Sequence, residues 1–181
     1  MHCFKIINVN RSYGSVRIII LSAITFFISF CFSYVLLGFY KTQPFTDDGF
    51  KLFLLGLLFI YPLHKFIHYL FLIDYTQNMK VKIRRKYIVL PSIHLKIKKL
   101  VPKYRYLSSL IAPFILLSAL FILLALSYPA TIHYFSIYFA IHCSICLIDL
   151  LFVKDIITAP HSSFIEETPK GYEVLVPHQI N

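Results

Sequence analysis

Four apolar runs, each long enough to cross a bilayer, leave this chain few ways to fold. Residues 17–40 carry no charge after Arg17, and about 18 or more such residues span the roughly 30 Å hydrocarbon core as a helix. Further runs cover about residues 50–73, 107–127 and 132–153. The 181 residues are 58% hydrophobic and 14% charged, against an apolar share of about 45–50% in soluble domains. The expected fold is an all-α polytopic membrane protein, a single membrane domain over residues 1–181 with four transmembrane helices. A segment at 74–106 and a tail at 154–181 remain outside the spans. The first run exceeds the about 7–15 apolar residues of a signal peptide and reaches Phe39 and Tyr40 without a small-x-small cleavage site, so a retained helix is expected. Three of the four cysteines, Cys31, Cys143 and Cys146, fall in or beside apolar helices, where no disulfide framework is expected.

The formal charge of +10 is unevenly spread. Lys5, Arg11 and Arg17 precede the first run, and Lys80, Lys82, Arg84, Arg85, Lys86, Lys96, Lys98, Lys99, Lys103 and Arg105 lie between the second and third. The other two connections are poor in cations, with Lys41 and Lys51 offset by Asp47 and Asp48. The positive-inside rule therefore places both termini and the basic segment on the cytoplasmic side of the cell membrane.

That basic segment alternates apolar and cationic positions in KVKIRRKYIVL and IHLKIKKLV. Period two is the pattern of strands with one apolar face, and Pro91-Ser92 can form the turn of a small hairpin. Lying on the bilayer, Lys80, Lys82, Arg84, Arg85, Lys86, Lys96, Lys98 and Lys99 would meet anionic headgroups, each contributing about 1 kcal/mol. A segment tethered beside lipid is not expected to bind nucleic acid. Its charge also serves as a plain topology signal. The tail holds a strand candidate, YEVLV, and an acidic centre at Glu166 and Glu167 suited to pairing with the basic segment.

Ionisable residues inside spans are costly and mark functional sites; here they are His64, Lys65, His68, His133, His142 and Asp149. At 1.5 Å per residue, His64 and His68 lie roughly 8–14 Å from the cytoplasmic end of the second span. In the fourth span Asp149 lies roughly 6 Å and His142 roughly 16 Å from the same side. His64 and His68, at i and i+4, point the same way from a helix and can grip one metal ion, as in H-E-x-x-H sites. His142, Cys146 and Asp149, at i, i+4 and i+7, share a face of the fourth span. If the two faces meet, His64, His68 and Asp149 form an N/N/O site for Zn2+ with a fourth position open, or closed by His142 or Cys146. Two alternatives stand beside it: interhelical hydrogen bonding by the histidines, and a metal-free His/Lys/Asp network in which Lys65 partners Asp149. His133, near the outer interface, has no expected role.

Several landmarks in order carry a family resemblance. They are P-L-H-x-x-x-H at Pro62 to His68, the basic β-like insertion, S-L-I-A-P-F at Ser109 to Phe114, H-C-S-I-C-L-I-D-L at His142 to Leu150, and the tail A-P-H-S-S-F-I-E-E-T-P-K-G-Y-E-V. From about residue 50 onward the chain resembles the putative zincin-peptidase family of bacterial multi-pass membrane proteins, itself similar to site-2-type intramembrane metalloproteases. The resemblance implies that His64 and His68 are metal ligands and that Asp149 is the third. Lys65 departs from the pattern. In such enzymes a glutamate at this position moves the proton of the attacking water, whereas a lysine has a reference pKa of about 10.4 and is ordinarily cationic.

The favoured expectation is a catalytically impaired relative, H-K-x-x-H in place of H-E-x-x-H, that binds a membrane partner. The alternative is an active intramembrane zinc metalloprotease with an unconventional base. A small transporter or channel component fits less well, since neither half-helices nor internal repeats are visible.

Overall fold

The structure, a computed structural model, describes residues 2–39, 44–47, 49–75, 80–84, 92–96, 100–168 and 171–177. Strand β1 (His2–Ile7) and the short helix α1 (Val9–Tyr13) lead into α2 (Ser15–Gly38), and α3 (Phe50–Phe71) follows. Strands β2 (Lys80–Arg84), β3 (Ser92–Lys96) and β4 (Val101–Pro102) precede α4 (Lys103–Ser127). Helix α5 (Ile132–Ile157) and strands β5 (Phe164–Thr168) and β6 (Gly171–Val176) complete the chain. Among the described residues, α2, α3, α4 and the stretch Pro129–Ile157 that contains α5 are long and apolar enough to cross a membrane. The multi-pass helical fold expected from the apolar runs is the fold observed.

Helices α4 and α5 pack along their lengths, α2 lies against α5, and α3 lies against α4 with a narrower contact to α5. The outward faces present side chains such as Ile19, Phe27, Leu58 and Leu123, a surface matched to hydrocarbon. Pro62 and Pro113 stand inside α3 and α4, which membrane helices tolerate because neighbouring groups re-satisfy the freed backbone. The buried positions of α3 are Ile60, His64, Ile67 and His68. Spaced at i, i+4, i+7 and i+8, they form one stripe, so the face turned to the bundle is the face that carries the imidazoles.

A four-stranded antiparallel sheet in the order β1-β6-β5-β4 closes one end of the bundle. It gathers the segment before α2, the segment before α4 and the segment after α5, so these three chain ends lie together. Val174 pairs with Ile165 in the ladder, and both are fully buried with Ile7, Val101 and Ile156 in one apolar cluster. Lys103, the first residue of α4, is 4% exposed. Its ammonium donates to the Ile157 carbonyl at 2.9 Å and to the Ala159 carbonyl, satisfying acceptors that the end of α5 leaves without helical partners. Lys5 forms an ion pair with Asp155 at 2.9 Å, tying β1 to the same end of α5.

The basic segment forms the expected antiparallel pair, β2 with β3, registered from Lys80 opposite Lys96 to Arg84 opposite Ser92. Ser92, expected in the turn, instead pairs within the ladder; the connecting residues 85–91 lie outside the described residues. Lys80, Lys82, Arg84 and Lys96 belong to the strands, while Arg85, Lys86, Lys98 and Lys99 lie outside the described residues. The tail meets the end of the basic segment by backbone pairing, Val101 opposite Ile165 and Pro102 opposite Phe164.

Gly171 opens β6 with φ of +139°, and a Cβ there would run into the carbonyl oxygen of Ile7. Positive φ and this close approach both exclude a side chain. Gly171→Ala is expected to destabilise the sheet by about 1 kcal/mol or more. Denaturant unfolding in detergent, with hydrogen exchange of the β1 amides as the local readout, checks the prediction.

Candidate metal centre

Helices α3 and α5 approach closely because residue 56 has no side chain. A Cβ on Gly56 would collide with the Tyr138 hydroxyl, which donates to the Phe53 carbonyl at 2.8 Å. Two turns further along α3, His64 and His68 face Asp149 of α5.

The Nε2 atoms of His64 and His68 are 3.0 Å apart. The Asp149 Oδ2 atom lies 2.9 Å from Nε2 of His64 and 3.4 Å from Nε2 of His68. A tetrahedral zinc ion with bonds of about 2.0–2.1 Å holds its nitrogen and oxygen donors about 3.3 Å apart. The observed triangle is a few tenths of an ångström tighter on two edges and equal on the third, so three donors already converge on one point. All three residues are buried. Without a metal, Nε2–H of His64 donates to the Asp149 carboxylate.

The opposite edge of the His64 ring faces a second group. Its Nδ1 lies 3.5 Å from Nε2 of His142 and 3.8 Å from Sγ of Cys146. Cys146 Sγ lies 3.3 Å from Nε2 of His142. The remaining nitrogen of His142, Nδ1, is 3.4 Å from the hydroxyl of Ser118 on α4. Both histidines are 0% exposed. Two donor sets that can hold a metal ion therefore share His64: His64/His68/Asp149, and His64/His142/Cys146.

The five candidate metal ligands singled out in the sequence, His64, His68, His142, Cys146 and Asp149, lie in this cluster. His142 and Cys146, candidates for a fourth ligand, stand at the Nδ1 edge of His64, while His68 and Asp149 stand at the Nε2 edge. Lys65 is half-buried one position beyond His64. His133 lies toward the other end of α5, with Nε2 3.9 Å from Asp47. Ser118 escaped the sequence reading. Its only signal there is a hydroxyl set among Leu116, Leu117, Ala119 and Leu120.

A family model described as putative zincin peptidase matches residues 57–164, more than half of the chain and a stretch that includes both donor sets. No curated protein and no solved structure matches the chain.

Interhelical hydrogen bonds in membrane proteins contribute about 0.6 kcal/mol on average and at most about 1.7. Asp149 joins α5 to two imidazoles of α3, so Asp149→Leu is expected to cost the chelator-treated protein about 1 kcal/mol of stability. Unfolding in mixed detergent micelles measures this. A loss of several kcal/mol would show that the carboxylate pairs with a fixed buried charge and not with neutral imidazole donors.

Proposed function

We propose that this chain, which belongs to the putative zincin-peptidase family, keeps a Zn2+ site formed by His64, His68 and Asp149 while lacking the base needed for efficient hydrolysis. On this reading it acts by binding a transmembrane partner. The observation that carries the reading is the donor triangle with edges of 2.9, 3.0 and 3.4 Å standing next to a lysine at the general-base position. Two imidazole nitrogens and a carboxylate oxygen form a donor set of the type used by catalytic zinc sites with one open position.

Bound zinc supplies Lewis-acid polarisation and a low-pKa water. Proton transfer is left to the chain's own residues. A glutamate after the first histidine accepts a proton from the attacking water and returns it to the leaving amine. The Lys65 ammonium has no lone pair, so it performs neither transfer while charged. A cation at this position also opposes the loading of a divalent ion nearby. The Asp149 carboxylate and the His64 and His68 rings supply the three donors whether or not a base is present.

The sheet gathers the N-terminal strand, the end of the basic segment and the tail at one end of the bundle, which supports a common side for all three. Cation placement makes that side cytoplasmic, in the cell membrane. The basic hairpin then lies against anionic headgroups rather than nucleic acid.

Metal analysis of protein purified in detergent tests the site. The native and Cys146→Ser proteins are expected to carry about one zinc ion per chain, and the His64→Ala/His68→Ala protein none. Native protein free of zinc after purification in zinc-containing buffer would overturn the metal-site reading.

The retained ligand triangle also favours a second reading, an active metallopeptidase using an unconventional base. Cleavage of a transmembrane reporter separates the two. The native chain is expected to leave the reporter intact and Lys65→Glu to cut it, with a gain of at least the about 100-fold typical of a general base. Cleavage by the native chain that depends on Lys65 would reverse the assignment.

A further inference from the structure

We propose a second metal site on the other edge of the His64 ring, formed by His64 Nδ1, His142 Nε2 and Cys146 Sγ and suited to a thiophilic ion such as Cu+, Zn2+ or Cd2+. The donor separations are 3.5 Å between the two nitrogens and 3.3 and 3.8 Å from nitrogen to sulfur. Tetrahedral bonds of about 2.0–2.1 Å to nitrogen and about 2.3 Å to sulfur require about 3.3 Å and about 3.5 Å. Every edge agrees within a few tenths of an ångström. His142 and Cys146 stand at i and i+4 on α5, the spacing that His64 and His68 have on α3. A thiolate replaces the carboxylate of the first set, which moves the preference toward softer ions.

The surrounding hydrogen bonds provide independent support. A ligating imidazole characteristically donates its other N–H to an acceptor, which fixes the tautomer that points a lone pair at the metal. Ser118 Oγ is 3.4 Å from His142 Nδ1; with Nδ1–H donating to it, the His142 lone pair is on Nε2, toward Cys146 and His64. Asp149 Oδ2 is 2.9 Å from His64 Nε2. With Nε2–H donating to Asp149, the His64 lone pair is on Nδ1, the carboxylate–histidine–metal arrangement. Binding of a divalent ion releases the Cys146 thiol proton, takes one lone pair from each neutral imidazole and transfers no electron.

A neutral imidazole has one lone pair, so His64 serves one site at a time. When Nε2 binds the ion of the His64/His68/Asp149 site, Nδ1 carries the proton and faces His142. When Nδ1 binds a thiophilic ion, Nε2 carries the proton and faces Asp149. Each donor set thus supplies an outer hydrogen-bond partner for the other, and a thiophilic ion withdraws a ligand from the zincin-type site. This exclusion rests on the function proposed above; the second site itself does not.

The test uses the full chain in detergent with Cys3→Ser and Cys31→Ser as background, because both thiols are exposed. Titration with Cd2+, followed by thiolate-to-cadmium absorption in the ultraviolet, should saturate at about one equivalent. The band should vanish in Cys146→Ser and weaken at least about tenfold in affinity in His142→Ala, the smallest effect typical even of an outer-shell partner. Circular dichroism verifies that both variants keep their helices. The band should survive in His68→Ala, because His68 belongs only to the other donor set. No band in the background protein, a band that persists in Cys146→Ser, or one lost from His68→Ala would overturn the second site. Zinc preloaded on the background protein should be released by one equivalent of Cd2+ and retained by Cys146→Ser. Retention by both proteins would overturn the exclusion. Failure of zinc to load would count against the function proposed above, while the cadmium band would still decide the second site.

Discussion

A carboxylate among apolar helices has to be matched before the bundle can close, and Asp149 sets the terms on which α3 meets α5. An isolated charge at the centre of a bilayer is costly, and such residues turn inward and pair. Asp149 finds both partners on one stripe of α3, with His64 Nε2 at 2.9 Å and His68 Nε2 at 3.4 Å. Apolar packing alone would allow the two helices to slide or rotate, because lipid tails are as apolar as the side chains they would replace. The polar contact specifies one register. Gly56 and Tyr138 fix the spacing on the far side of the site, where a hydroxyl occupies the space a side chain would fill.

The sheet performs the corresponding task at the bundle end. Its strands come from segments separated by whole transmembrane helices, and the contacts holding it to the helices combine apolar burial with charge. Lys103 occupies the acceptors at the end of α5, while Lys5 pairs with Asp155. The end of α5 is therefore anchored about two turns beyond Asp149. A site built from side chains on three different helices needs such anchoring, since small helix shifts would separate donors now held within hydrogen-bonding distance.

Much of this was legible in the chain. The four spans follow from hydropathy, and spacings of i+4 and i+7 brought His64, His68, His142, Cys146 and Asp149 to comparable depth without any contact being known. The sheet was only partly legible: YEVLV carries strand character, and period two marks the β2–β3 pair. Strand β1 and the two-residue β4 gave no comparable signal, because their pairing partners lie far away in sequence and their stability comes from that pairing. Ser92 was misplaced because Pro91-Ser92 has the composition of a turn, whereas the ladder continues through Ser92. Ser118 could not be distinguished from any hydroxyl in a membrane helix.

The least legible feature was which edge of each imidazole faces which partner. Sequence reasoning treats a histidine as one donor and sums the candidates into one site with His142 or Cys146 as a fourth ligand. Packing separates them, because the two nitrogens of the His64 ring point in different directions and each meets its own group. This division also clarifies the lysine. Residue 65 is one position from His64, turned by about 100° around α3, so the ligand geometry depends on helix spacing and on residues 64, 68 and 149, not on residue 65. The donor triangle therefore needs no particular side chain at position 65.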